Sequence, residues 1–330
     1  MKAQLLHQFG PATSFQSADI PKPALIAGHV LIRVMATSVN QIDCKIRSGA
    51  VPAIAPEFPA VLHGDVAGVI EAVADDVAGF KVGDEVYGCA GGLKGSGGAL
   101  AETMLADARL IAKKPVTLTM LQAAALPLVA ITAWEALFVK TRLRAEHTIL
   151  IHGGVGGVGH IAVQLARWCG ARVAATVRSE EDFSTVRALG ADEVINASTE
   201  DVEQYVARLT DGKGFDIVFD TVGGPNLDKS LQAAKINGTV VATAARSTHD
   251  LSPMHAKSLT LSVVFMLNPL LKNQGRAAHG EILKQIAAIA DEGKLKPIVD
   301  GHQFTLSTIS DAHALLESGK AHGKVVVSVN

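Results

Sequence analysis

Gly154, Gly156 and Gly159 spell G-x-G-x-x-G directly after the β-prone run 148–151 and directly before a helix-like pattern with apolar residues at Val158, Ile161, Ala162, Leu165 and Ala166. In a strand, turn and helix of this kind the first glycine lets the chain turn, the second lets backbone approach a pyrophosphate, and the third lets helix pack closely on strand. Phosphate oxygens then sit on unpaired N–H groups at the positive end of the helix. Those groups belong to Gly154, Gly156, Gly157, Val158 and Gly159. A ligand-free glycine turn would satisfy the same spacing, but the strand before it and the helix after it favour a dinucleotide.

The next strand-like run, 172–177, decides which dinucleotide. A site for NAD carries an acidic residue where that strand ends, about twenty residues past the glycines, to accept from the ribose 2′-hydroxyl. Here the strand runs into Arg178 and Ser179, and the nearest acids, Glu180 and Glu181, fall in the first turn of the following helix, where acids are ordinary dipole partners. A guanidinium fork and a hydroxyl suit a 2′-phosphate, so NADP(H) is favoured over NAD(H). The alternative for Arg178 is a solvated surface arginine.

These residues need rigid elements to hold them. From 172 to 242 strand-like runs alternate with helical ones, which predicts βαβ units and a parallel sheet covered on both faces. Up to about Lys114 the pattern is instead short strands bounded by glycine, a mostly β domain resembling a partly closed barrel. Beyond Pro297 the chain turns β-rich again and rejoins that first domain. The fold class is therefore α/β, a Rossmann doubly wound parallel sheet over 121–294 inserted in a β-rich domain formed by 1–120 and 295–330. Two stretches stand apart. Leu121 to Phe138 reads as a buried helix with a break at Pro127. Gly88 to Gly98, with its six glycines, reads either as a flexible surface loop or as the wall of a substrate cleft.

Composition narrows the partners. A net charge near −2 and the lack of a dense Lys/Arg run give no reason to expect nucleic acid or an acidic membrane, so a small-molecule substrate is expected. Cys44, Cys89 and Cys169 are too few and too scattered for a disulfide framework or a C-x-x-C clip, which fits a reducing, cytoplasmic setting.

Several segments together resemble the medium-chain dehydrogenase/reductase superfamily, in its zinc-independent quinone oxidoreductase-like branch. They are 38–43, 64–70, 79–86, 126–134, the glycine turn, 189–192, 219–224 and Gly323-Lys324, and they run through nearly the whole chain in order. The resemblance implies a chaperonin-10-like catalytic domain, a homodimer joined through the strand Leu259 to Phe265, and no metal. Where zinc-dependent relatives place their first cysteine ligand this chain has Asn40; the Gly-His pair reads His63-Gly64 in reverse; Leu126 to Ala130 offers no Cys or His; and Ile42 stands at the proton-relay position.

What the resemblance then implies is hydride transfer to an already electrophilic acceptor, a quinone or an α,β-unsaturated carbonyl, with the final proton from water. Asn40 is expected to donate to the developing oxyanion, Asp43 to orient its neighbours, and Thr132 to approach the nicotinamide. Val222, Gly223, Phe265, Met266, Leu267 and Lys324 complete the expected cofactor contacts. His63 and Tyr87 are tempting proton donors, but each lies in a structural motif, and packing or ordinary hydrogen bonding is the favoured reading of both. Two other readings stay open: an alcohol dehydrogenase with an unusual metal site, and a non-catalytic NADPH-binding module.

Overall fold

The computed structural model describes residues 1–329, which divide into two compact units, 1–131 with 267–329 and 132–266. The boundaries differ from those read in the sequence because the helix Arg276–Asp291 packs on the first unit, against 108–110 and the strand Ile111–Lys113. Gly280 permits that approach: a Cβ there would stand 2.8 Å from the Arg109 carbonyl oxygen.

The second unit is a six-stranded parallel sheet in the order Glu193–Asn196, Arg172–Val177, Thr148–His152, Phe215–Asp220, Ala234–Ala242, Thr260–Val263. The chain starts in the middle at Thr148–His152, winds outward through two strands, then returns to the other side of the first. That reversal creates a switch point at the carboxyl end of Thr148–His152, where such sheets bind ligands. Apolar residues alternate into the layer beneath the helices Val202–Thr210 and Asn226–Ala233, with Leu150, Ala174, Val218, Tyr205 and Leu231 in one cluster. This is the doubly wound sheet the alternation predicts.

The first unit is mostly β, as read. A seven-stranded sheet is built around the long strand His29–Ser38, which pairs with Asp65–Val73, Thr103–Asp107 and, from the far end of the chain, Val326–Ser328. Its period-two pattern puts Val30, Ile32 and Val34 wholly inside. A helix the sequence reading passed over, Gln41–Ser48, follows at once, started by Asn40 with Asp43 three residues on and stopped by Gly49 at φ 83°. The stretch after Thr119 is not one helix: Met120–Ala124 ends before Pro127, which opens a second helix, Pro127–Trp134, that widens to π-helical winding over Glu135–Lys140.

The glycine-rich segment is anchored rather than loose. Ala99 and Leu100 donate backbone N–H to the carbonyls of His63 and Leu62 at 2.9 and 3.2 Å, Lys94 donates to Ile54 at 2.9 Å, and only its tip near Lys94 to Gly97 reaches solvent. The glycines are what let it lie so close. A Cβ on Gly98 would fall 1.9 Å from the Leu62 carbonyl oxygen, a backbone atom that cannot step aside. Gly98→Ala should therefore lower stability by about 1–3 kcal/mol in urea unfolding, whereas Gly301→Ala, with nothing within 4 Å, should leave the midpoint in place.

Candidate active site

In the second unit the glycine turn divides its tasks differently from the motif's usual reading. The positive φ that turns the chain belongs to Gly153, at 74°, one residue before the G-x-G. Gly154 is held by its N–H to the Thr176 carbonyl at 2.8 Å, and a Cβ there would press on Ala175 at 3.0 Å. Gly159 is where helix meets turn, since its Cβ would lie 2.0 Å from the Gly153 carbonyl oxygen. Gly156 is different: its Cβ would touch only that oxygen, at 3.2 Å, and otherwise open space. A side chain is excluded there by no other contact, which fits a position kept bare for a ligand.

The first backbone bond of the helix Gly159–Trp168 runs from His160 N–H to the Gly156 carbonyl. The N–H groups of Gly157, Val158 and Gly159 are thus the orphan donors of a helix start, available to phosphate. The N–H groups of Gly154 and Gly156 are not available in this way, because they already bond to Thr176 and Gly153. Thr176 also accepts the Gly153 N–H at 3.1 Å and faces His152 Nδ1 at 3.3 Å. Burial holds that imidazole neutral, its pKa pushed down to about 4.

Arg178 is exposed beyond the second strand, and no ion pair engages it among the described residues. Ser179 caps the next turn, accepting the Glu181 N–H at 3.3 Å, so only its hydroxyl proton is free to give. Val222 is exposed, and its N–H and that of Gly223 both bond Asp220 Oδ1, at 2.8 and 2.9 Å. Phe265 is half-buried, Met266 and Leu267 are buried in the turn leading to the helix Asn268–Lys272, and Thr132 is buried in its helix. A dinucleotide fits the glycine cradle, the orphan N–H groups and Arg178.

In the first unit six residues, Ser38, Asn40, Asp43, Asp65, Leu128 and Lys324, meet in one buried cluster. Asn40 Nδ2 donates to Asp65 Oδ2 at 2.8 Å, while its Oδ1 accepts from the Lys324 ammonium. Ser38 Oγ donates to the same Asp65 oxygen at 2.7 Å, and the Leu128 N–H, in the first turn of its helix, donates to Asp65 Oδ1 at 2.9 Å. The Asn40 backbone N–H bonds Asp43 Oδ2 at 2.7 Å. Lys324 is only 3 % exposed, and its ammonium meets Asn40 and lies 3.6 Å from Asp65. The Asn40 amide is correspondingly less free than expected: one of its N–H bonds is committed to Asp65.

Asp43, which accepts the Asn40 N–H, is itself perturbed. Burial raises its pKa to about 7, against the pull of the Asn40 N–H, and the neighbouring Asp65 charge adds to the rise. It is not an ordinary ionised carboxylate. The protons of His63 and Tyr87 are both engaged within the protein. Arg47 Nε, which can only donate, meets His313 Nδ1 at 3.3 Å; His313 Nε2 meets His63 Nε2 at 2.9 Å; His63 Nδ1 meets Thr37 Oγ1 at 3.2 Å, and Thr37 donates to the Asp65 carbonyl at 2.6 Å. Each donor in that chain is used by the next acceptor. Tyr87 donates to the Leu283 carbonyl at 2.6 Å.

Comparison with known proteins agrees along the whole length. The family model for the alcohol dehydrogenase GroES-like domain matches residues 26–116, and that for zinc-binding dehydrogenase matches 189–327. An NADPH-dependent alkenal/one oxidoreductase, chloroplastic, of Arabidopsis thaliana is 34 % identical over 99 % of this chain and 79 % of its own, and the quinone oxidoreductase of Homo sapiens is 31 % identical over 99 % and 97 %. The solved structure of an alcohol dehydrogenase superfamily protein from Novosphingobium aromaticivorans superposes with a TM-score of 0.95 at 41 % identity, covering 100 % of both chains.

The chain belongs to the medium-chain dehydrogenase/reductase superfamily, in its quinone oxidoreductase-like branch. It is an enzyme of the medium-chain reductase type. One matching model is named for zinc, but the donors present do not fit that ion. Among the described residues no three His, Cys, Asp or Glu side chains converge to hold a metal. Both nitrogens of His63 are engaged, and a lysine ammonium sits against Asn40 and Asp65. No helix among the described residues is long and apolar enough to cross a membrane.

Asp65 was not singled out by sequence reasoning. Its signal was an acid opening the strand Asp65–Val73, ahead of the apolar run 66–70 and beside the reversed His63-Gly64 pair. Asp43 gives the cluster a pH signature. Its pKa rises from 3.8 to about 7 on folding, so its contribution to stability is complete below about pH 4 and is lost as pH rises through 7. The buried histidines act in the opposite sense, so the comparison must be with Asp43→Asn. The wild-type urea midpoint should fall relative to that variant between pH 4 and 7 and run parallel to it above about pH 8; parallel curves throughout would show Asp43 ionised in the folded protein.

Proposed function

We propose that this enzyme is an NADPH-dependent reductase of quinones or α,β-unsaturated carbonyls that works without a metal. The observation that carries the reading is Asn40, an amide donor locked in a buried polar cluster at the position where zinc-dependent relatives resemble this chain but place a ligand. Bound NADPH supplies the hydride. The N–H groups of Gly157, Val158 and Gly159, beside the bare Gly156, would hold its pyrophosphate, and Arg178 with the Ser179 hydroxyl would hold the 2′-phosphate.

When hydride adds to the β-carbon of an enone, or to a quinone, negative charge collects on the carbonyl oxygen. The free N–H of Asn40 stabilises that oxygen, and water returns the proton once the enolate or hydroquinone anion has formed. Thr132, Val222, Gly223, Phe265 and Met266 belong with the nicotinamide half of the cofactor in this reading, and Leu267 follows them. The same reading takes the enzyme as a homodimer joined along the strand Thr260–Val263, whose outer edge is unpaired among the described residues and whose Val263 is exposed. The relatives' names support the acceptor class, and the position of Arg178 supports the phosphorylated cofactor.

Turnover of 1,4-naphthoquinone or an enal with NADPH should persist in the presence of a strong chelator. No oxidation of NADPH by any such acceptor would sink the proposal. Arg178→Ala should weaken NADPH by about 10- to 100-fold, the worth of a hydrogen bond to a charged group, and leave NADH within about 2-fold. Equal weakening of both would remove Arg178 from the 2′-phosphate.

A further inference from the structure

We infer that Lys324 is a positioning residue for Asn40 rather than a cofactor contact: with Asp65 it fixes which way the Asn40 amide faces, leaving one N–H for the substrate oxygen. The inference rests on the proposed role of Asn40 in stabilising that oxygen.

An asparagine amide is nearly symmetric in shape, and its orientation is set by what its two ends meet. Here the two ends meet opposite charges. The Lys324 ammonium can only donate and faces Oδ1, while Asp65 Oδ2 accepts from Nδ2 at 2.8 Å. Rotating the amide by half a turn would set NH₂ against NH₃⁺ and oxygen against carboxylate. Both contacts are repulsive, and both lie in a region from which water is excluded, where charges interact strongly. The working orientation is thus specified from both sides.

The two charges are themselves immobile. Asp65 is fully buried and takes further bonds from Ser38 Oγ and the Leu128 N–H. Lys324 donates its backbone N–H to the Ile298 carbonyl at 2.9 Å and its ammonium to the Val39 carbonyl at 3.3 Å. Gly323 before it, at φ 75°, would carry a Cβ 2.3 Å from the Ile298 carbonyl oxygen, so only glycine lets the chain enter this close. The Asn40 backbone is tied by its own N–H to Asp43. With Oδ1 and one Nδ2–H used by the protein, the second Nδ2–H is the donor that remains.

The test is a mutant cycle read by kcat, KM and, separately, NADPH affinity from nicotinamide fluorescence. Asn40→Ala should lower kcat with 1,4-naphthoquinone by about 100-fold, as loss of an oxyanion donor does. Lys324→Met keeps the apolar stem and removes the ammonium; it should lower kcat by about 10-fold with NADPH affinity held within about 2-fold. In the Asn40→Ala background Lys324→Met should cost nothing further, because the group it positions is gone. Lys324→Met strands the Asp65 charge, so Lys324→Met/Asp65→Asn, which strands neither, is carried through the same cycle; if the single variant does not fold, the double one decides.

A fall in NADPH affinity with kcat intact makes Lys324 a cofactor residue and overturns the inference. So does a full additional kcat loss in the Asn40→Ala background. If Asn40→Ala itself leaves kcat unchanged, the oxyanion reading fails first and the inference falls with it, an outcome distinct from either of the other two.

Discussion

Asp65 is a carboxylate with no exposure to solvent, and a buried charge is tolerated only where donors and a counter-charge surround it. Much of the first unit can be understood as meeting that requirement. The strand His29–Ser38 delivers Ser38 Oγ; the N-terminal turn of Pro127–Trp134 delivers the Leu128 N–H, with the positive end of its dipole behind it. Asn40 comes from the start of the helix Gln41–Ser48, and Lys324 from close to the other end of the chain. Four separate segments are held together by one acid, so their relative placement is specified by charge as well as by packing. Burial pulls the Lys324 ammonium down while Asp65 and Asp43 hold it up. Burial away from water, and after it the Asp65 charge, make the second carboxylate, Asp43, hold its proton more tightly.

The histidine chain makes the cluster directional. Because Arg47 cannot accept, His313 must donate from Nε2, His63 must then donate from Nδ1, and the series ends on the Asp65 carbonyl. Burial holds both rings neutral, His313 with a pKa near 3. Arg47, fully buried itself, is paired with Glu317. A histidine in this setting orders a core, and residue type by itself gave no means of telling it from a proton donor.

In the second unit the constraint is backbone rather than charge. The helix Gly159–Trp168 must begin within contact distance of the turn that feeds it, and the distances a Cβ would have at Gly154 and Gly159 show why larger residues are shut out. At Gly156 the reason is different, since space is open there. Three glycines that look alike in sequence thus differ in what a side chain would meet: packed atoms at Gly154 and Gly159, mostly open space at Gly156.

The sequence by itself determined the order of elements. Periods of two and 3.6 residues, glycine at the turns and a helix break at Pro127 are local effects, and they placed the parallel sheet, the β-rich ends and the glycine turn between strand and helix, with Arg178 after the second strand. It also showed that the usual zinc ligands are missing. Even the unread helix Gln41–Ser48 carried a local signal, Asn40 followed by Asp43 in the spacing of a capping pair. Tertiary structure alone decided the partners of those residues. Lys324 and Asn40 are 284 positions apart and His63 and His313 are 250 apart, and no local pattern records such pairings. Whether Lys324 is solvated or buried, whether Asp43 holds a proton, and which way the Asn40 amide faces depend on charges brought close and water excluded, and both arise only when distant segments pack.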